Sequence, residues 1–225
     1  MMIWLIGIKG MLGTEVARLF EAQGIPYLGT DRELDITQKE TLKAFAEAHG
    51  PISWMVNCAA YTAVDRAEDD ALTCGRINRD GAANIAWIAE ELRARLIHIS
   101  TDYVFNGKAS RPYQEDDEPC PIGVYGQTKQ AGEAAIQEIH QAAYIIRTAW
   151  LYGSYGNNFV TTMLRLMEER DSLSVVDDQR GSPTWAYDLA QLILRLISTV
   201  TQGKTVPYGI YHFSNEGNIS WFDFA

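Results

Sequence analysis

The chain has 225 residues, 47% of them hydrophobic and 21% charged, enough for one substantial core with or without a small added lobe. Its formal net charge of −10 argues against nucleic acid or an anionic membrane surface as partner. Cys58, Cys74 and Cys120 lack metal-ligand spacing and suit a reducing compartment. With no basic-then-apolar leader at the start, the expected location is the cytoplasm.

Residues 2–6 form an uninterrupted apolar run, as expected of a buried parallel strand. Gly7, Gly10 and Gly13 follow in a G-x-x-G-x-x-G turn. Residues 14–23 then show helical spacing, with Val16, Ala17, Leu19 and Phe20 apolar. Strand, glycine turn and helix in this order predict a nucleotide site. Gly7, Gly10, Met11 and Leu12 bring backbone to a pyrophosphate at the helix amino end.

A second strand is predicted over residues 25–29, and Asp31 lies where a ribose-binding carboxylate belongs. Arg32 follows directly and suits a 2′-phosphate, so NADH and NADPH both remain open as cofactor. Residues 34–37, Asp35 and Ile36 among them, edge an adenine pocket, or else Asp35 or Thr37 simply caps a helix over residues 38–49.

Residues 54–60 read as a strand running into small residues. Ala59 and Ala60 there let a cofactor lie flat across the sheet edge. A helix over residues 84–95 and a strand over residues 96–100 follow, and Thr101 stands at the strand's carboxyl end, where open α/β sheets bind ligands. Residues 107–123, with three prolines and the run Glu115, Asp116, Asp117, Glu118, read as a solvated acidic loop.

Tyr125 and Lys129 are four residues apart, which on a helix sets them on one face. An ammonium beside a phenol is expected to lower its pKa and ready it for proton transfer to a substrate oxygen. Thr101, Tyr125 and Lys129 thus make a hydroxyl, a proton donor and a cation for carbonyl chemistry. A further strand at residues 144–147 completes an alternation that predicts a doubly wound parallel sheet of Rossmann type.

These motifs, with residues 57–68, 100–107, 147–150 (Arg-Thr-Ala-Trp), 156–159 and 178–184 (Asp-Gln-Arg-Gly-Ser-Pro-Thr), reach a family. The chain resembles the extended short-chain dehydrogenases/reductases and, within them, the dTDP-4-dehydrorhamnose reductase family, over nearly its whole length. The resemblance implies an NAD(P)-binding domain over residues 1–150. It implies substrate-lobe segments over residues 151–225, interleaved with the last strands.

It also implies NAD(P)H-dependent reduction of the 4-keto group of a dTDP-sugar. Tyr125 would be the proton donor, Lys129 would hold the nicotinamide ribose and Thr101 would polarise the carbonyl. Asn78 would support the proton relay, and Tyr61 and Ser100 would border the cofactor. Thr62, Val64, Asp102, Tyr103 and Trp150 are implied in the substrate pocket, and Asn158 and Arg180 at the diphosphate. Read from the residues alone, Trp150 also fits core packing, Asn158 a helix cap and Arg180 a surface charge.

Three departures matter. Asp102-Tyr103 replaces the Asp-Glu pair of related dehydratases, which disfavours water elimination. Glu15 matches one glutamate of the Mg²⁺-bridged homodimer of some members, but Tyr187 stands at another, which weakens the case for Mg²⁺ at Glu15 and leaves a homodimer open. Residues 220–225 read as the opening of a helix, so the expected substrate lobe is incomplete. Another nucleotide-sugar reductase or epimerase, or a non-catalytic nucleotide-binding subunit on the same fold, is the alternative function.

Overall fold

A computed structural model describes residues 1–225. The uninterrupted apolar run at the start becomes β1 (Ile3–Ile6), buried along its whole length as a strand covered on both faces must be. The chain continues α1 (Met11–Ala22), β2 (Tyr27–Thr30), α2 (Lys39–Ala48), β3 (Trp54–Asn57), α3 (Val64–Asp69), α4 (Ala71–Gly75), α5 (Ala82–Leu92) and β4 (Arg95–Thr101). Then come α6 (Val124–Ile139), β5 (Ala143–Thr148), β6 (Leu151–Tyr152), α7 (Phe159–Glu169), β7 (Arg180–Gly181), β8 (Thr184–Trp185), α8 (Ala186–Thr201), β9 (Gly209–Phe213), β10 (Ile219–Ser220) and α9 (Trp221–Phe224).

Six strands form one sheet in the order β2-β1-β3-β4-β5-β9, every pair parallel. One apolar core lies on the face covered by α2, α5 and α6, and a second on the face covered by α1 and α8. This is the doubly wound arrangement the alternation predicts. Its order reverses between β1 and β3, so the loops after the strands meet along one edge.

Several boundaries differ from the sequence-based expectation. α1 begins at Met11 rather than residue 14, because Gly10 serves as its N-cap and the glycine turn runs straight into the helix. Before α5, α4 and a π-helical turn over Arg76–Gly81 make one nearly continuous helical run, which the apolar spacing did not reveal. π turns often sit at functional sites, and this one carries Asn78.

The residues after 150 do not form one separate lobe. α8 packs its apolar face into the second core, and β9 is the sixth strand of the main sheet. What remains of the lobe is α7, α9 and two small ladders, β6 with β8 and β7 with β10. An aromatic cluster joins these pieces: Trp150 stacks on Trp221 with ring centres 3.6 Å apart, and Phe159 and Phe224 pack around them. No helix is long and apolar enough to cross a membrane.

Candidate active site

The glycine turn is built from contacts that exclude side chains. Gly7 has a φ of 81°, and a Cβ there would lie 2.7 Å from the Ala59 nitrogen. At Gly13 a Cβ would lie 2.1 Å from the Gly7 carbonyl oxygen, so α1 can pack this closely only with glycine. α1 opens with no side-chain cap and no acidic residue in its first turn, leaving the backbone N–H groups of Met11 and Leu12 for an anion. That cradle fits the pyrophosphate of a dinucleotide. Leu12 contributes only backbone, since its side chain is buried in the core beneath.

The ribose end is more committed than the sequence suggests. Asp31 accepts hydrogen bonds from the Lys9 N–H at 2.9 Å and the Arg32 N–H at 2.9 Å, tying the end of β2 to the glycine turn. The Arg32 side chain is exposed beside it, as is Lys9, which pairs with Glu33 at 3.1 Å. One correction falls here: Asp35 caps no helix but accepts from the Thr37 N–H at 2.9 Å in a local turn. The Ile36 side chain packs against α5 and the π turn.

The loop after β3 is held by Asn78. Its amide oxygen accepts from the Tyr61 N–H at 2.8 Å and its nitrogen donates to the Tyr61 carbonyl at 3.1 Å. One side chain thereby satisfies both backbone groups of Tyr61. Ala59 and Ala60 lie half-buried in that loop, and Thr62 and Val64 follow at its outer end and the start of α3.

Thr101 ends β4 with its hydroxyl donating to the Asp102 carboxylate at 3.2 Å and accepting from the Tyr103 N–H at 3.2 Å. α6 reaches this turn because residue 126 is glycine: a Cβ there would lie 2.1 Å from the Tyr103 carbonyl oxygen. That approach brings Tyr125 beside Thr101 and sets it edge-on to Tyr103, ring centres 5.5 Å apart.

The expected action of Lys129 on Tyr125 needs correcting. Burial raises the Tyr125 phenol well above its ordinary value. The Thr101 hydroxyl opposes this in part, while Asp102 and Tyr103 add to it. Lys129 does not enter that balance: its Nζ donates to the Ile99 carbonyl at 2.6 Å and lies 3.3 Å from His98 Nε2. Burial also lowers the Lys129 ammonium to about 8. Loss of hydration outweighs the pairing that spacing on a helix suggests. The same desolvation raises the Asp102 carboxyl to about 6, which makes it a candidate site group.

Behind the reactive edge stands a buried polar wall. Ser100 donates to Glu133 at 2.5 Å, and Glu133 pairs with Arg147 at 2.7 Å. The Ser100 hydroxyl is thus engaged by Glu133. Sequence reading also missed Asn57, His98, Glu133 and Arg147. The available signal was a polar residue inside an apolar strand, as His98 is within β4.

Two substrate-pocket expectations change as well. Asn158 is the N-cap of α7 in a reciprocal capping box with Thr161, and its nitrogen donates to the Gly153 carbonyl at 2.8 Å, so its side chain is used locally. Trp150, at a φ of 46°, is held in the aromatic cluster with its ring against Gly181. Arg180 is exposed and donates to the Asn218 carbonyl at 2.9 Å. No group of three or more His, Cys, Asp or Glu residues that could hold a metal ion is present, and Glu15 lies on α1 apart from any such cluster.

A doubly wound sheet, a glycine turn at the first helix, and a threonine, tyrosine and lysine at the edge of β4 and α6 define a dinucleotide-dependent oxidoreductase of the short-chain dehydrogenase/reductase class. The chain belongs to the family of the RmlD substrate binding domain, whose model matches residues 1–225. It is 43% identical to a dTDP-4-dehydrorhamnose reductase of Streptomyces griseus over 221 residues, 97% of this chain and 72% of that one. It is 41% identical to a dTDP-4-keto-6-deoxy-D-glucose reductase of Streptomyces niveus, over 99% of this chain and 76% of that one. The crystal structure of dTDP-4-dehydrorhamnose reductase from Bacillus anthracis in complex with NADP is similar with a TM-score of 0.92. It has 41% identity, covering 99% of this chain and 78% of that one.

Proposed function

We propose that this chain reduces the 4-keto group of a dTDP-activated 6-deoxysugar, dTDP-4-dehydro-L-rhamnose foremost, with NADPH. The observation that carries it is Tyr125 beside Thr101 at the carboxyl edge of the parallel sheet, the edge that also carries the glycine turn after β1. Met11, Leu12, Asn78 and the Tyr61 loop would hold the dinucleotide, which when bound supplies the hydride. The phenol of Tyr125, kept protonated by burial, gives its proton to the oxygen that becomes the alcohol. The Thr101 hydroxyl donates to the same oxygen and steadies its developing charge. Lys129, near 8, is placed to return a proton to the site.

The test follows absorbance of NADPH on addition of enzymatically generated dTDP-4-dehydro-L-rhamnose. Oxidation matched by formation of dTDP-L-rhamnose is expected. NADPH binding with no product from this or the related 4-keto sugar would refute the reading.

Arg32 favours the phosphorylated cofactor. Arg32→Ala is expected to weaken NADPH binding by about 10- to 100-fold, the loss of one charge-assisted contact, with NADH binding little changed. Fluorescence titration with both cofactors checks this, and equal losses for the two would remove Arg32 from the 2′-phosphate.

A further inference from the structure

Beneath Lys129 lies a chain of buried groups whose hydrogen-bonding roles can be fixed from one end. Asn57 Oδ1 is 3.0 Å from the Ala59 N–H, which can only donate. That assigns the amide: Oδ1 accepts, so Nδ2 is the atom facing His98 Nδ1 at 3.0 Å. An amide N–H₂ only donates, so Nδ1 must accept and carries no proton. Neutral imidazole then bears its proton on Nε2. Nε2 faces Lys129 Nζ at 3.3 Å.

We propose that His98 is a positioning residue: Asn57 locks its tautomer, and its Nε2–H, aimed at Lys129 Nζ, loosens that lysine's hold on its third proton. An N–H opposite an ammonium is repulsive, whereas opposite an amine it is a hydrogen bond, so the contact favours the amine. Charging the imidazole would only deepen the conflict, because the imidazolium keeps its Nε2–H, and burial and Lys129 hold its pKa far down in any case. The other groups facing Lys129 pull the opposite way. They are the Ile99 carbonyl on β4, Cys58 after β3, Cys74 on α4 and Glu133 one turn along α6, itself paired with Arg147. His98 offsets them and keeps the lysine able to release and regain a proton near neutral pH.

The inference rests on Lys129 serving the reductase site, but its test needs no turnover. The Lys129 titration is read from the ¹³Cε shift of lysine-labelled protein, with the resonance assigned by its loss in Lys129→Met. In His98→Phe, which keeps a buried ring but removes the N–H, the titration is expected to move upward by about one pH unit, a tenfold gain in proton affinity. No shift, or a downward shift, overturns the proposal, since a downward shift means that the imidazole had accepted from the ammonium.

Should His98→Phe not fold, the ¹⁵N shifts of imidazole-labelled wild-type protein decide. A protonated Nε2 and bare Nδ1 support the proposal, and the opposite tautomer overturns it. A protein that shows the expected shifts yet does not reduce the sugar would leave His98 in place and remove the substrate assignment alone.

Discussion

Tyr125→Phe is expected to lower kcat for sugar reduction by about 10²- to 10⁴-fold, the usual worth of a positioned proton donor. NADPH affinity should change by less than about threefold, because one hydroxyl among many cofactor contacts is lost. The reason lies in the environment of the phenol. Burial raises its pKa far above neutrality, so at pH 7 the tyrosine is fully in the acid form the reaction needs. Hydride addition to a ketone leaves negative charge on oxygen, and without the phenol only the Thr101 hydroxyl faces it. Steady-state kinetics and cofactor titration on the same preparation make the check. Loss of binding equal to the loss of rate would mean that the hydroxyl holds the cofactor rather than donating the proton.

The largest effect on stability is expected from the wall behind the site. Arg147→Ala should cost about 3–5 kcal/mol, because it leaves the Glu133 carboxylate buried without its cation. Both side chains are only 3% exposed, joined at 2.7 Å, with a second contact at 3.0 Å from the arginine Nε. Ser100 is the one other donor on that carboxylate and cannot compensate a full charge. The double variant Arg147→Met, Glu133→Leu should recover most of the loss, since the repulsive element is then gone. Urea denaturation measures both. A cost below about 1 kcal/mol, the range of exposed pairs, would show that water reaches the carboxylate.

The wall also ties stability to chemistry. Glu133 lies on α6 one turn beyond Lys129, and Arg147 stands opposite Ser100 across the β4–β5 pairing. The pair therefore pins α6, the helix that carries Tyr125, to the sheet. Loosening it is expected to reach the site through the placement of Tyr125, even though neither charge faces the sheet edge.

Much was legible in the chain alone, and the reason is that it depends on local order. An apolar run, three glycines and an amphipathic segment predict a strand, a tight turn and a helix amino end, and residues 2–23 form these elements in that order. The spacing of Tyr125 and Lys129 set them on one helix, and Thr101 marked the end of a strand. Strands alternating with helices required a parallel sheet with its loops gathered at one edge.

Tertiary structure decided the charge states and the commitments of side chains. Asn158 fits both a diphosphate contact and a helix cap in the sequence, and in the structure its side chain caps α7, while the Ser100 hydroxyl bonds Glu133, a partner that only the tertiary fold brings to it. Trp150 became a stacking partner of Trp221, 71 residues away in sequence. Lys129 was expected to lower the phenol's pKa, but its Nζ turns to Ile99 and His98, and burial raises that pKa. Spacing along a helix sets which residues share a face. The water removed from that face, and the groups brought from other strands to meet it, set their chemistry, because desolvation and partner geometry depend on the whole fold.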